Sequence, residues 1–116
     1  MKVLITGSRN CPSKEVMWSL FETYIPKMSF IINGGAKGVD SLCNDWCNSF
    51  PKRVLGWETI RPINERIAAY YLHRNAEMIG MCDKVIAFWD GKSRGTKFTI
   101  DYAKSRNKEV KVVHTR

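Results

Sequence analysis

Short apolar runs alternate with longer stretches of helical periodicity along the whole chain. Val3-Leu4-Ile5-Thr6, Phe30-Ile31-Ile32-Asn33, Val54-Leu55-Gly56-Trp57, Val85-Ile86-Ala87-Phe88-Trp89 and Val110-Lys111-Val112-Val113 are rich in β-branched or aromatic residues and read as strands. The first, second and fourth are nearly continuous in apolar residues, as strands covered on both faces are, whereas the last alternates and suits a sheet edge. From Ser13, a good N-cap, Val16, Met17, Leu20, Phe21 and Tyr24 follow helical spacing until Pro26. Leu42, Cys43, Trp46, Cys47 and Phe50 make a second stripe before Pro51. Ile67, Ala68, Tyr71, Leu72, Met78 and Ile79 make a third, and a fourth helix is expected from about Thr96 to Arg106. Five strands alternating with helices predict an α/β fold: an open sheet of about five mainly parallel strands with helices on both faces and right-handed crossovers.

Three glycine-bearing stretches follow strands and precede helices: Gly7-Ser8-Arg9, Asn33 to Asp40, and Asp90 to Thr96. In an open parallel sheet these turns lie beyond the carboxyl ends of the strands, where ligands bind. Glycine lets backbone approach a ligand closely, and the N–H groups at a helix start attract anions. The expected ligand therefore carries phosphate. Tight strand-to-helix turns with no ligand are the plain alternative for any one of them.

Composition narrows the partner. With 19 Lys and Arg against 11 Asp and Glu, the net charge of +8 favours an anion. Lys14, Lys27, Lys52, Arg53, Lys104, Arg106 and Lys108 fall on helix faces or opposite-end turns, where solvation explains them. Arg9, Lys37, Arg61, Lys92 and Arg94 fall in or beside the strand-end loops, where they can neutralise phosphates. That clustering favours a small phosphorylated ligand over a long nucleic acid, with a single-stranded segment as the alternative. Cys11, Cys43, Cys47 and Cys82 lack paired zinc-site spacing, and a site built from the helical pair Cys43 and Cys47 with His73 is weighed against plain packing, which wins. No metal site is expected, although Mg2+ could accompany a phosphorylated ligand. The 116 residues fit one domain spanning 1–116, and the absence of a leader-like or membrane-spanning stretch leads to an expected cytoplasmic location with no membrane partner.

Taken in order, Gly7-Ser8-Arg9, Gly34-Gly35-Ala36-Lys37-Gly38-Val39-Asp40, Arg74-Asn75-Ala76-Glu77-Met78, Asp83 to Gly91 and Ser93-Arg94-Gly95-Thr96 resemble the SLOG superfamily, and more narrowly its short YspA-like branch. The resemblance covers nearly the whole chain. It implies a Rossmann-like domain that binds nucleotides or nucleotide-derived signals. The superfamily also includes the LOG phosphoribohydrolases, which remove the base from a nucleoside monophosphate, and a DNA-processing protein that binds single strands. Asn33-Gly34-Gly35 resembles the LOG glycine stretch beside the ribose phosphate, with Gly38 at the family spacing. Arg74-Asn75 resembles the LOG Arg-Lys pair, which assigns Arg74 to the active site. Gly95-Thr96 resembles the Gly-Thr that closes the second glycine loop.

The departures matter as much. Thr99 stands where the LOG pattern has its catalytic glutamate, and Asp101 lies about 200° around a helix from the equivalent direction. Asp40 and Asp90 are the remaining loop carboxylates, able to accept ribose hydroxyls, hold a metal or act as a base, or else to serve as an N-cap and a turn former. Trp89 is placed to stack a purine, Trp18 and Trp46 to pack in the core and Trp57 between these, while Tyr70-Tyr71 splits inward and outward or meets a second subunit in a homo-oligomer. The expectation is a binder of a nucleotide or an NAD- or ADP-ribose-derived molecule, sensing or sequestering it. Its ligand residues would be Gly7, Ser8, Arg9, Asn33, Gly34, Gly35, Lys37, Gly38 and Asp40 from the first two loops. Arg74, Asn75, Trp89, Asp90, Gly91, Ser93, Gly95 and Thr96 would complete them. A nucleotide hydrolase using Arg74, Asp40 and Asp90 is the first alternative, and a single-stranded nucleic-acid module the second.

Overall fold

A computed structural model describes residues 1–64 and 66–115. Five parallel strands, β1 (Lys2–Gly7), β2 (Phe30–Asn33), β3 (Gly56–Thr59), β4 (Lys84–Trp89) and β5 (Glu109–His114), form one sheet in the order β3-β2-β1-β4-β5. The helices are α1 (Lys14–Tyr24), α2 (Val39–Ser49), α3 (Ala68–Met81) and α4 (Arg94–Ser105). The chain moves outward from β1 to β3, then returns to place β4 on the other side of β1. Right-handed crossovers in opposite directions put α1 and α2 on one face and α3 and α4 on the other. The Rossmann-like α/β sheet expected from the alternation is the one observed.

Alternation along the strands sorts the core into two layers. Val3, Ile5, Ile31, Ile86 and Phe88 pack with Met17 and Phe21 of α1 and with Val39, Cys43, Trp46 and Cys47 of α2. Leu4, Ile32 and Val85 point the other way, against Met78, Ile79 and Cys82 at the end of α3 and Ala103 of α4. Phe21 is fully buried and meets Phe88 edge-on at 5.2 Å between ring centroids. A side chain of that size contributes about 1.5–3 kcal/mol by leaving water. Both outer strands are only partly covered, as the alternating pattern of β5 required.

Three expectations are corrected. The third strand begins two residues late: Pro51–Arg53 forms a 3-10 turn, Val54 is buried, Leu55 is exposed, and pairing with β2 starts at Gly56 opposite Phe30. Gly56 suits that start, because a Cβ there would lie 2.9 Å from the Phe30 ring. Val16 and Phe50 are exposed despite their helical phase, although Phe50 meets Trp18 edge-on at 5.5 Å. Ile67 and Leu72 are also exposed, and Arg74 is the first buried side chain among the described residues of α3. The Ala68 side chain lies outside the described residues. Tyr70 and Tyr71 are both half-buried.

Gly38 is the tightest point of the loop region, with φ 87° and ψ −123°, a backbone state essentially reserved for glycine. A Cβ there would lie 2.5 Å from the carbonyl oxygens of Ser8 and Arg9. Gly91 also has positive φ, at 82°, with nothing near its open side. Gly38→Ala should therefore lower unfolding free energy by more than the ~1–2 kcal/mol of left-handed strain alone, and Gly91→Ala by no more than that. Equal urea midpoints for the two variants would contradict the close packing at Gly38.

Candidate functional site

The three glycine loops meet where the strand order reverses, between β1 and β4, and Ser8 ties them together. Its N–H donates to the Phe88 carbonyl at 3.2 Å and its carbonyl accepts from Val39 N–H at 3.3 Å. Its hydroxyl accepts from Asp90 N–H at 3.1 Å. Ser8 is buried, so this predicted ligand residue is a joint between the loops.

The glycines divide into two kinds. At Gly7 a Cβ would overlap Val39 and the Phe88 carbonyl, and at Gly38 the Ser8 and Arg9 carbonyls. These glycines serve contact between segments of chain. At Gly34 a Cβ would sit 2.5 Å from Arg74 Nη1, and at Gly35 it would meet Thr59 and, at 3.1 Å, Arg61 Nη1. The double glycine therefore admits two guanidinium groups onto the backbone, where the sequence suggested direct approach by a ligand. Gly95 alone of the site glycines stands inside a helix start with open space before it and ordinary φ. Gly91 has open space as well, but it is an exposed turn away from the cavity lining.

That open space belongs to a cavity of about 520 Å³ at the carboxyl ends of β1 and β4. Ser93, Gly95 and Thr96 bring the amino end of α4 to it, with Asp40 and Arg74 on other sides. Ser93 Oγ caps α4, accepting from Thr96 N–H at 3.4 Å and lying 3.1 Å from Thr96 Oγ1. Exposed Arg9 and Lys92 add positive charge at the rim. A helix amino terminus, hydroxyls and cations form an environment for an anion. Thr99 also lines the cavity and donates its hydroxyl to the Gly95 carbonyl at 3.1 Å. Asp101 points away and pairs with Lys97.

Arg74 is buried and held in place. Its Nη1 donates to the carbonyls of Gly34 at 2.8 Å and Ile60 at 3.2 Å, and its Nε donates to Asn75 Oδ1 at 2.9 Å. Both Arg74 and Asn75 border the cavity, as expected. Gly34, Gly35 and Lys37 instead border a smaller adjoining pocket with Arg61 and Tyr71. Asn33 is fully buried and spends its amide on Asn44, Thr59 and the Gly35 N–H, so it shapes the loop from beneath. Trp89 lies outside the cavity lining: its Nε1 donates to the Ser93 carbonyl at 3.0 Å and its ring packs toward His114. Asn10 and Ala36 line the cavity without having been singled out. Their position, directly after Arg9 and between Gly35 and Lys37, was the available signal.

The two loop carboxylates are already engaged. Asp40 Oδ2 accepts from the N–H groups of Gly34 and Ala36, both at 3.2 Å, while Oδ1 is sealed from solvent and has no hydrogen-bond partner among the described residues. Burial pushes the Asp40 carboxyl up to about 6; the two N–H bonds and the Arg74 charge oppose that shift without cancelling it. Asp90 Oδ1 accepts from Lys92 and Ser93 N–H, each at 2.8 Å, which is the turn-forming role. Cys43 and Cys47 pack under α2, on the sheet face opposite α3 and His73, so the considered metal cluster is not assembled. No group of three or more His, Cys, Asp or Glu side chains converges among the described residues.

No family model matches the chain, and no curated protein does. Solved structures do. DNA processing protein A from Helicobacter pylori, described for a unique single-stranded DNA binding mode, superposes with a TM-score of 0.74 at 23% identity over 100% of this chain and 66% of that one. DNA processing protein A from Streptococcus pneumoniae superposes with a TM-score of 0.75 at 17% identity, over 96% of this chain and 49% of that one. The chain thus spans about half to two thirds of these proteins. What the likeness shows is a shared Rossmann-like α/β fold. No helix among the described residues is long and apolar enough to cross a membrane.

Asp40 predicts a pH signature. Its folded value exceeds the ordinary 3.8, so the folded state binds the proton more tightly, and this residue's contribution to stability falls as pH rises from about 4 to about 6. At about 1.4 kcal/mol per unit, the loss is on the order of 3 kcal/mol. In denaturant titrations between pH 4 and pH 7, Asp40→Asn should gain stability relative to the native chain as pH rises. A constant difference would place the Asp40 titration elsewhere.

Proposed function

We propose that this protein binds a nucleotide or an NAD- or ADP-ribose-derived molecule, with a phosphate at the amino end of α4, and that it senses or sequesters that ligand. One observation carries the reading: Gly95 leaves the first turn of α4 open toward a cavity that Ser93 and Thr96 line with hydroxyls. Its volume falls within the range of about 300–1,000 Å³ usual for small-molecule sites. Arg9 and Lys92 at the rim supply countercharge. The motifs that resemble the YspA-like branch support the same assignment.

Binding is better supported than cleavage. Thr99 offers a hydroxyl already donated to Gly95, Asp40 has one oxygen engaged and the other sealed, and Asp90 holds its own turn. None offers the ready carboxylate that glycosidic cleavage needs at a developing positive charge. A single-stranded nucleic acid is the second reading. It is favoured by the likeness to a protein described for binding single-stranded DNA and by the +8 charge.

Gly95→Val tests the first reading, since a Cβ at that position meets nothing within 4 Å. Calorimetric titration with adenosine monophosphate and ADP-ribose should show at least about tenfold weaker binding, the loss expected for charge-assisted hydrogen bonds, with an unchanged melting temperature. Chromatography of the same mixtures should detect no free adenine. Unaltered affinity in the variant would remove the phosphate from α4.

Salt separates the two readings. A groove tracking a single strand loses affinity with a logarithmic slope near 0.7 per neutralised phosphate, so five contacts give a slope of about 3.5. A one-nucleotide site should show a slope below about 1.5. A steep slope for an oligonucleotide that mononucleotides fail to displace would establish the nucleic-acid reading in its place.

A further inference from the structure

The large cavity has a neighbour of about 250 Å³, and the two share Arg9, Ala36 and Arg74. The smaller one is different in kind. Arg9 from the first loop, Lys37 from the second, Arg61 after β3 and Arg74 from α3 converge on it, and Tyr71 forms a wall. Four cations from four separate segments, gathered around so small a volume, concentrate positive potential there.

The geometry is prepared. Arg74 is clamped by the Gly34 and Ile60 carbonyls and has the Tyr71 ring 5.5 Å from its guanidinium carbon. The Arg61 guanidinium lies over Gly35, in space that any side chain at that position would fill. Gly35 has φ 70°, so the loop accepts a glycine-favouring conformation that leaves room for the guanidinium. Planar guanidinium groups suit phosphate oxygens.

We propose that this pocket is a second phosphate subsite, so that the ligand carries two phosphates separated by a nucleoside. One phosphate sits at the amino end of α4 and the other against Lys37 and Arg61; the nucleoside between them crosses Ala36 and Arg74. Adjacent phosphates of a pyrophosphate would occupy a single cavity, whereas two cavities joined by a shared wall suit groups held apart. Tyr71 offers a ring face to a base. The inference rests on the nucleotide reading of the larger cavity. Its ligand chemistry belongs equally to a free dinucleotide and to a step within a single strand.

The test is calorimetric titration of the full chain with adenosine 5′-monophosphate, with the 5′-phosphorylated adenylyl dinucleotide, and with a twelve-nucleotide deoxyadenylate strand. The dinucleotide should bind about tenfold or more tightly than the mononucleotide, the gain expected from added charge-assisted hydrogen bonds. Lys37→Ala and Arg61→Ala, both at exposed side chains, should erase most of that gain and weaken the dinucleotide far more than the mononucleotide. Gly95→Val should weaken both. Tighter binding of the twelve-nucleotide strand than of the dinucleotide identifies a strand as the source, and equal binding identifies a dinucleotide; either supports the second subsite. Mononucleotide binding with no gain from the second phosphate, or equal losses for both probes in Lys37→Ala and Arg61→Ala, overturns the second subsite alone. Failure of every probe to bind overturns it together with the nucleotide reading.

Discussion

The cavity exists because Ser8 holds three strand-end loops in one arrangement. Its backbone bonds both to the end of β4 and to the start of α2, and its hydroxyl takes the N–H of Asp90. A buried backbone group left without a partner is costly, so each of these bonds is hard to give up. Gly38 permits the same junction from the other side by letting its backbone lie against the carbonyls of Ser8 and Arg9. With the loops joined there, the amino ends of α2 and α4 come to the same cavity and bring Asp40 and Thr96 to its lining.

Two helix amino ends and several arginines would ordinarily favour an ionised carboxylate. Asp40 nevertheless titrates near 6, because its burial outweighs the two N–H bonds and the Arg74 charge. The residue is thus mainly an internal brace of the second loop, in which Asn33 bridges Asn44, Thr59 and Gly35 on the adjoining side. Such bracing fixes the loop that carries Lys37 and receives Arg61 and Arg74. A site that must hold several cations close together benefits from a rigid support, since mutual repulsion would otherwise spread them apart.

The double glycine is occupied by the protein's own side chains. A short glycine run after a parallel strand suggests a ligand lying on bare backbone, but Gly34 and Gly35 are covered by the side chains of Arg74 and Arg61. Their small size serves the protein's own cations. Open space beside a glycine is found instead at the start of α4, where a Cβ on Gly95 would meet nothing within 4 Å.

Hydrophobic spacing determined the architecture of this protein. β-branched runs and helical stripes, separated by glycine turns, leave little besides a doubly covered parallel sheet, and the edge character of β5 was visible in its alternation. The location of the cavity followed, because parallel connections bring strand-end loops to one side. Arg9, Asp40, Arg74, Asn75, Ser93, Gly95 and Thr96 are accordingly found around the cavity. What each loop residue does was decided only by the tertiary structure. Ser8, Asn33 and Gly38 join segments distant in sequence, Trp89 turns toward Ser93 and His114, and Ile67 and Leu72 are exposed despite their helical spacing. The difference is physical: periodicity along one element records which side is buried, whereas the partner of a polar group or the space before a glycine depends on atoms that folding brings from elsewhere in the chain.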